Sequence, residues 1–347
     1  MTIRLRTAFF IGVTLFILWF FYLERTLLSP FVLAAIFAYV FNPLVNFISE
    51  KIKLPRTISI IVIYIIILSV VVIAGTSLVT QVVNESSELT KFTDNLSSAT
   101  KTQVESLPFW LKSPIQEMIL SIDKSKILST ASILVVFPQA ISKILSFFIF
   151  LFSGFYFLKE GRNMLNKVLN FIPNNYKFEV EILLRKINGV MGKYLRGQLL
   201  LVFLVSIMLF IPLSILGVKF ALILAIFSGF AEIIPIIGPI VAAVIASLVV
   251  LIGGNLNFGL TPIQGAITIA ISYFVIRQVQ DYFITPHVMG KIVRLHPLVI
   301  FFAVLSGQHM GGILGVILAV PIVAALRIIL EFLLDKINER STKVVRA

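Results

Sequence analysis

The sequence predicts an all-α, polytopic integral membrane protein, with broken or re-entrant helices in its C-terminal half and helical segments outside the bilayer. Three observations lead there. Charged residues are 13% of the 347-residue chain, about half the ~25% of an ordinary soluble domain. Hydrophobic residues are 59%, Phe alone accounts for 31 positions, and the mean hydropathy is +1.04; a water-soluble fold has no place for that much apolar surface. Finally, apolar runs of bilayer length recur along the chain.

A spanning helix needs about 20 apolar residues, because the hydrocarbon core is about 30 Å thick and each helical residue rises 1.5 Å. Thr7 to Leu23 and Thr26 to Ser49 carry no charge apart from the boundary pair Glu24 and Arg25 between them. Thr57 to Asn84, Ile127 to Leu158 and Gly197 to Val218 are each long enough to cross, the second with only Lys143 inside it. Ile233 to Ile276 is uncharged for 44 residues, enough for two passes or a broken pair, and Pro297 to Leu326 adds 30 more. The first run follows Arg4 and Arg6 as a signal peptide would. The bulky, charged "YLERT" behind it offers no small-residue cleavage site, so a retained anchor is expected.

Two stretches are not membrane. Residues 80–130 hold five Lys against six Asp and Glu, whereas Lys159 to Arg196 holds eight Lys and Arg against three Glu. Basic flanks stay cytoplasmic, so these stretches are expected on opposite sides, with both termini cytoplasmic. The expected organisation is 1–79, an N-terminal region of about three transmembrane helices; 80–130, an extracytoplasmic helical segment; 131–158, a transmembrane helix; 159–197, a cytoplasmic basic amphipathic segment; 198–334, a transmembrane core with Pro/Gly-broken helices; and 335–347, a cytoplasmic tail. Residues 159–197 read either as helices lying at anionic headgroups or as a solvated connector.

The chemistry that composition leaves open is narrow. There is no cysteine, hence no disulfide framework and no thiolate metal site. The net charge of +13 is distributed as topology requires, with no basic stretch interleaved with stacking aromatics, so nucleic acid is not an expected partner. His287, His296 and His309 lack zinc-protease spacing, and no phosphate-cradling loop or nucleophile elbow is present. No catalytic residue, cofactor or resident metal is expected.

The informative stretch is "FAEIIPIIGPIVAAVIASLVVLIGG", Phe230 to Gly254. Pro235 and Pro239 each lack an N–H, and Gly238 between them allows positive φ. Broken backbone cannot face lipid, so it must be buried in protein or line a watered cavity. Glu232 stands three residues before the break, and a carboxylate beside hydrocarbon marks either function or a membrane surface. Further on, "RQVQDYFITPHVMGKIVRLHP" is densely polar; Arg277 and Asp281 share a helical face at i, i+4, and Gln278 and Gln280 add neutral hydrogen-bonding groups. It reads as an inner loop or as a gate at the cytoplasmic mouth. In "LSGQHMGGILGVILAVP", Gly307, Gly311 and Gly315 permit close helix approach, and Ser306, Gln308 and His309 suit the turn of a hairpin. Arg327 and Glu331 are spaced to pair near the inner surface.

The order "EIIPIIGPIVAA", then "QDYFITPHVMGKIVRLHPLVIFFAVLSGQHMGGILGVILAVPI", resembles the autoinducer-2 exporter-like (AI-2E) family of bacterial permease-like membrane proteins. Pro235, Gly238 and Pro239 carry the first motif. Pro286, Gly290, His296, Pro297, Gly311, Gly315 and Pro321 carry the second. The resemblance implies about eight transmembrane helices and a homo-oligomer, pentameric in the family, in the bacterial inner membrane. It also implies a transporter that exports autoinducer-2 or exchanges sodium or lithium for protons. On that reading, Glu232, Pro235, Gly238, Pro239, Gln278, Asp281 and Gln308 are the transport-pathway candidates. Gly290, Pro297, Gly307, Gly311, Gly315 and Pro321 serve helix packing or breaks. The alternative is an oligomeric scaffold or interaction protein across which no solute moves.

Overall fold

The computed structural model describes residues 23–84, 130–253, 256–290 and 295–345, together with Gly12, Val13, Phe16 and Trp19. The crossing expected at 7–23 and nearly all of the extracytoplasmic segment 80–130 lie outside the described residues. Those described are helical, with no strand among them.

The elements are α1 Arg25–Lys51, α2 Arg56–Asn84, α3 Thr130–Asn170, α4 Asn174–Ile215, α5 Ala221–Ala231, α6 Ile237–Gly253, α7 Pro262–Val279, a π-helical turn Gln280–Ile284, α8 Thr285–Met289 and α9 Pro297–Val345. Five are long and apolar enough to cross a membrane, over Leu27–Lys51, Arg56–Ser77, Ser142–Gly161, Asn174–Ile215 and Pro297–Ile337. In the order of the chain, shorter apolar helices, Ala221–Ala231 and Ile237–Leu251, come between the last two. Their apolar side chains are largely exposed, as on Ile65, Val71 and Ile73 of α2. In lipid such exposure costs nothing, and packing between helices comes from van der Waals contact and hydrogen bonds instead.

The chain divides into two compact units, one of Met1–Ile63, Ala140–Leu195 and Leu295–Ala347, the other of Tyr64–Gln139 and Arg196–Arg294. In the first unit, Arg56 acts as a clamp. Its Nε and Nη2 donate to the Leu158 carbonyl at 2.8 and 2.6 Å, and Nη1 and Nη2 donate to the Asn46 and Asn42 amide oxygens, each at 2.7 Å. One guanidinium thereby ties the start of α2 to α1 and to α3. The expected 159–197 segment forms the end of α3, the turn after it and the first half of α4. There Glu179 pairs with Lys336 of α9, whose ammonium also lies 5.2 Å from the Tyr176 ring centre.

α9 is not straight. Gly312 takes φ +57, ψ −138, and the chain reverses there into two helical arms. A Cβ on Gly315 would stand 1.8 Å from the Gly307 carbonyl oxygen, and one on Gly307 would stand 2.4 Å from that of Gly315. Only hydrogen fits at both positions, so the arms touch backbone to backbone. Gly311 faces open space. Pro297 opens the first arm, where its missing N–H is harmless, and Pro321 is fully buried in the second. Arg327 and Glu331 pair at 2.7 Å, while Lys143 on α3 is exposed.

The second unit has a core built from helical stripes. Val205, Leu209, Leu213 and Leu216 run along and just beyond α4, Ala242, Ala246 and Val250 along α6, and Ala266, Ile269 and Tyr273 along α7. The alanines recur every four residues, which lets α6 and α7 approach closely. Thr261 starts α7 through a reciprocal capping box with Gln264, and Pro262 occupies the first turn. Gly290, at φ +56, closes α8.

Candidate functional site

The site grows out of the break between α5 and α6. Pro235 falls in the break and Pro239 in the first turn of α6, where its missing N–H is harmless, but positive φ falls on Ile236, at +72, and not on Gly238 as the sequence suggested. Gly238 has a different task. A Cβ there would lie 1.7 Å from the Ala231 carbonyl oxygen, so the glycine lets the chain fold back against the end of α5. The turn is held by the Gly238 amide donating to the Ile234 carbonyl at 3.0 Å, and by the Gln198 side-chain amide donating to the Glu232 carbonyl at 3.1 Å. The β-branched Ile236 in left-handed geometry is an outlier, and the surrounding turn imposes it.

Glu232 follows the last residue of α5 and is 8% exposed. Its carboxylate faces α7, where Arg277 Nη1 donates to Oε1 at 2.9 Å and to Oε2 at 3.3 Å. The Nε of the same guanidinium donates to Asp281 Oδ2 at 2.8 Å. One cation is therefore shared by two carboxylates, one buried and one 44% exposed. Burying Glu232 alone would cost several kcal/mol; beside Arg277 the charge is compensated, though such pairs contribute little net stability.

Below the ion pair lies a cavity of about 20 Å³, room for one water molecule or a bare small ion. Its polar wall is Glu232, Arg277, Gln280, Ser228 and Tyr273; Val205, Leu209, Pro239, Ala242 and Ile276 complete it. Ser228 donates to the Leu224 carbonyl at 2.6 Å, which leaves the Tyr273 hydroxyl to donate to Ser228 at 2.7 Å. Gln280 is 2% exposed and its amide nitrogen has no hydrogen-bond partner, although it lies near the Glu232 carboxylate. Tyr273, Arg277 and Gln280 stand at i, i+4 and i+7, one face of α7 continued into its π-helical turn. π-helical turns inside helices gather at functional positions.

Of the sequence candidates, the fold brings Glu232, Pro239 and Asp281 to this centre, the last through Arg277. Pro235 and Gly238 shape the turn without lining the cavity. Gln278 is half-buried and does not line it; the amide that does is Gln280. Gln308 is exposed and belongs to the other unit. Arg277, Ser228, Tyr273 and Gln198 were not singled out as site residues. Of these, the phase of Arg277 with Tyr273 and Gln280 was the signal available in the sequence. Among the described residues no group of three or more His, Asp or Glu is placed to hold a metal ion.

With this geometry in view, comparison with known proteins decides the family. The model of the AI-2E family transporter matches residues 11–335. The chain belongs to the AI-2E family. Its relatives include YueF, an inferred transport protein of Bacillus subtilis (strain 168), 29% identical over 87% of this chain and 83% of that protein. YrrI of the same organism, likewise named for inferred transport, is 25% identical over 88% and 86%. YhhT of Escherichia coli (strain K12), of the same description, is 27% identical over 86% and 82%. This AI-2E family member is therefore a multi-pass membrane protein of a transporter family, and its buried ion-paired centre lies inside the matched region.

Proposed function

We propose that the centre formed by Glu232, Arg277, Asp281 and Gln280 handles the transported species, and that this species is a monovalent cation exchanged for protons. One observation carries the choice. Of the two carboxylates that share Arg277, Glu232 lines a cavity of about 20 Å³, which admits a bare ion or one water and is smaller than an organic signal of autoinducer-2 size. Acidic groups at membrane depth mark ion pathways and proton relays, and a helix broken at Pro235 and Pro239 supplies the irregular backbone such sites use. The protein on this reading sits in the bacterial cytoplasmic membrane as a homo-oligomer with both termini cytoplasmic, in keeping with its basic inner flanks.

The test is flux into proteoliposomes. Sodium and lithium exchange for protons is measured beside autoinducer-2 uptake, for the wild type and for Glu232→Gln, which keeps the side chain's size. The expected outcome is cation flux reduced at least about tenfold in the variant, about 1.4 kcal/mol of lost interaction. Undiminished cation flux removes Glu232 from the path. Autoinducer-2 flux without cation flux replaces the cation with the organic solute. Because the chain contains no cysteine, Ile236→Cys, at a half-exposed position on the turn before α6, gives a clean probe of water access. Labelling there by a membrane-impermeant thiol reagent is expected, whereas complete protection favours a scaffold.

A further inference from the structure

We propose that Arg277 is a resident counter-cation: its guanidinium sits on the Glu232 carboxylate where the transported monovalent cation binds, and withdraws toward Asp281 when that cation arrives. The inference rests on the proposed transport role of this site and adds how Glu232 is kept paired between cargoes.

Charge balance is the first support. Glu232, Asp281 and Arg277 together carry one net negative charge. If Arg277 pairs with Asp281 alone, Glu232 is left with a single negative charge, which one monovalent cation neutralises. A guanidinium and a second cation on the same buried carboxylate would repel strongly at that range. Occupancy is therefore exclusive. Because Glu232 is only 8% exposed, it cannot be left without a cation, so one departs as the other enters.

Geometry is the second. The Glu232 contact uses a single nitrogen, Nη1, at 2.9 and 3.3 Å, and not the two-nitrogen fork that makes arginine–carboxylate pairs strong. The Asp281 contact uses Nε at 2.8 Å, so it can persist while the Nη1 end swings away. Asp281 is 44% exposed and tolerates being paired or solvated. It is suited to hold Arg277 when Glu232 does not.

The unsatisfied amide is the third and independent support. Gln280 lines the same cavity, is 2% exposed, and its amide nitrogen has no partner while Arg277 occupies Glu232. Withdrawal of Arg277 frees carboxylate lone pairs beside that nitrogen. Ser228, Tyr273 and Glu232 also line the cavity, and each carries oxygen, the ligand type that hard cations prefer.

Binding of radioactive sodium to the purified full-length protein tests this without requiring flux. Arg277→Gln is expected to bind sodium about tenfold more tightly than wild type, since the competitor is gone. Asp281→Asn is expected to bind about threefold more weakly, since Arg277 loses its alternative partner. Glu232→Gln, alone or combined with Arg277→Gln, is expected to bind none. These opposed directions separate a counter-cation from a structural ion pair, in which removing either Arg277 or Asp281 only lowers stability. If Arg277→Gln does not fold, Arg277→Lys serves, because an ammonium lacks the separate nitrogens with which Arg277 holds Asp281 and Glu232 at once; sodium affinity should rise about threefold. Unchanged or weaker binding in a folded Arg277 variant, or tighter binding in Asp281→Asn, overturns the proposal. Loss of the effect of Glu232→Gln on flux would instead overturn the transport reading, so the two failures are distinct.

Discussion

Two breaks interrupt the apolar C-terminal half, and they are built from opposite chemistry. At 232–238 the chain turns with Pro235, a strained Ile236 and a buried carboxylate held by an arginine 45 residues away. At Gly312 the chain turns with glycine alone, and the arms close through Gly307 and Gly315 with no charge at the contact. A break in a membrane helix is therefore not by itself a mark of function. The glycine hairpin satisfies its backbone by packing and needs no occupant, whereas the proline break retains a charge, an unpartnered amide and a cavity. Polar groups kept at a cost distinguish the two.

The largest expected effect tests the hairpin half of this contrast. In Gly315→Val the new side chain meets the Gly307 carbonyl, a backbone atom that cannot move aside as a side-chain tip would. The loss should fall at the upper end of overpacking costs, about 3 kcal/mol, seen as a clear drop in the thermal transition of detergent-solubilised protein. Sodium flux normalised to folded protein should stay near wild type. A selective loss of normalised flux with stability intact would make the hairpin part of the path and collapse the distinction.

This contrast also explains what the sequence could and could not disclose. Helical class, the membrane runs and the break at Pro235 follow from local rules about composition and missing N–H groups. A hairpin near the glycines does too, but the polar Ser306, Gln308 and His309 suggest its turn, whereas they are helical and the chain reverses at Gly312. The centre itself does not follow from such rules. Glu232 and Arg277 meet only because α5 and α7 both pack against α6, and no spacing rule reports that. The choice of Gln278 over Gln280 was a question of helical phase, decided by the same tertiary packing. At Gly238 local chemistry suggests positive φ, which falls on Ile236 instead; the constraint that demands glycine there is the approach of the Ala231 carbonyl.

A smaller effect probes the strain on the proline side. Ile236 holds φ +72 and is 52% exposed, so little packing is lost when its side chain is removed. Left-handed geometry costs a residue with Cβ about 1–2 kcal/mol, part of which Ile236→Gly recovers against the greater freedom of glycine in the unfolded chain. A gain of about 1 kcal/mol in stability is expected. If flux falls while the melting temperature rises, the strained turn is part of the working site. A loss of stability would show that the turn is not strained.

The smallest effect concerns the hydroxyl pair at the cavity wall, and its asymmetry is the informative part. The Ser228 proton is already committed to the Leu224 carbonyl at 2.6 Å, so the 2.7 Å contact to Tyr273 is made with the tyrosine proton. Removing the Tyr273 hydroxyl in Tyr273→Phe leaves Ser228 with its donor satisfied and only an acceptor lone pair unused, at a cost of about 0.5–1 kcal/mol. Ser228→Ala instead strands a tyrosine hydroxyl in a 7% exposed position, and an unmade bond to a buried donor costs about 1–3 kcal/mol. The serine variant should therefore melt lower than the tyrosine variant. Equal losses would mean that water enters the cavity and takes over as the tyrosine's acceptor. That result would set this wall apart from the sealed glycine contact at Gly307 and Gly315 more sharply than the static geometry does.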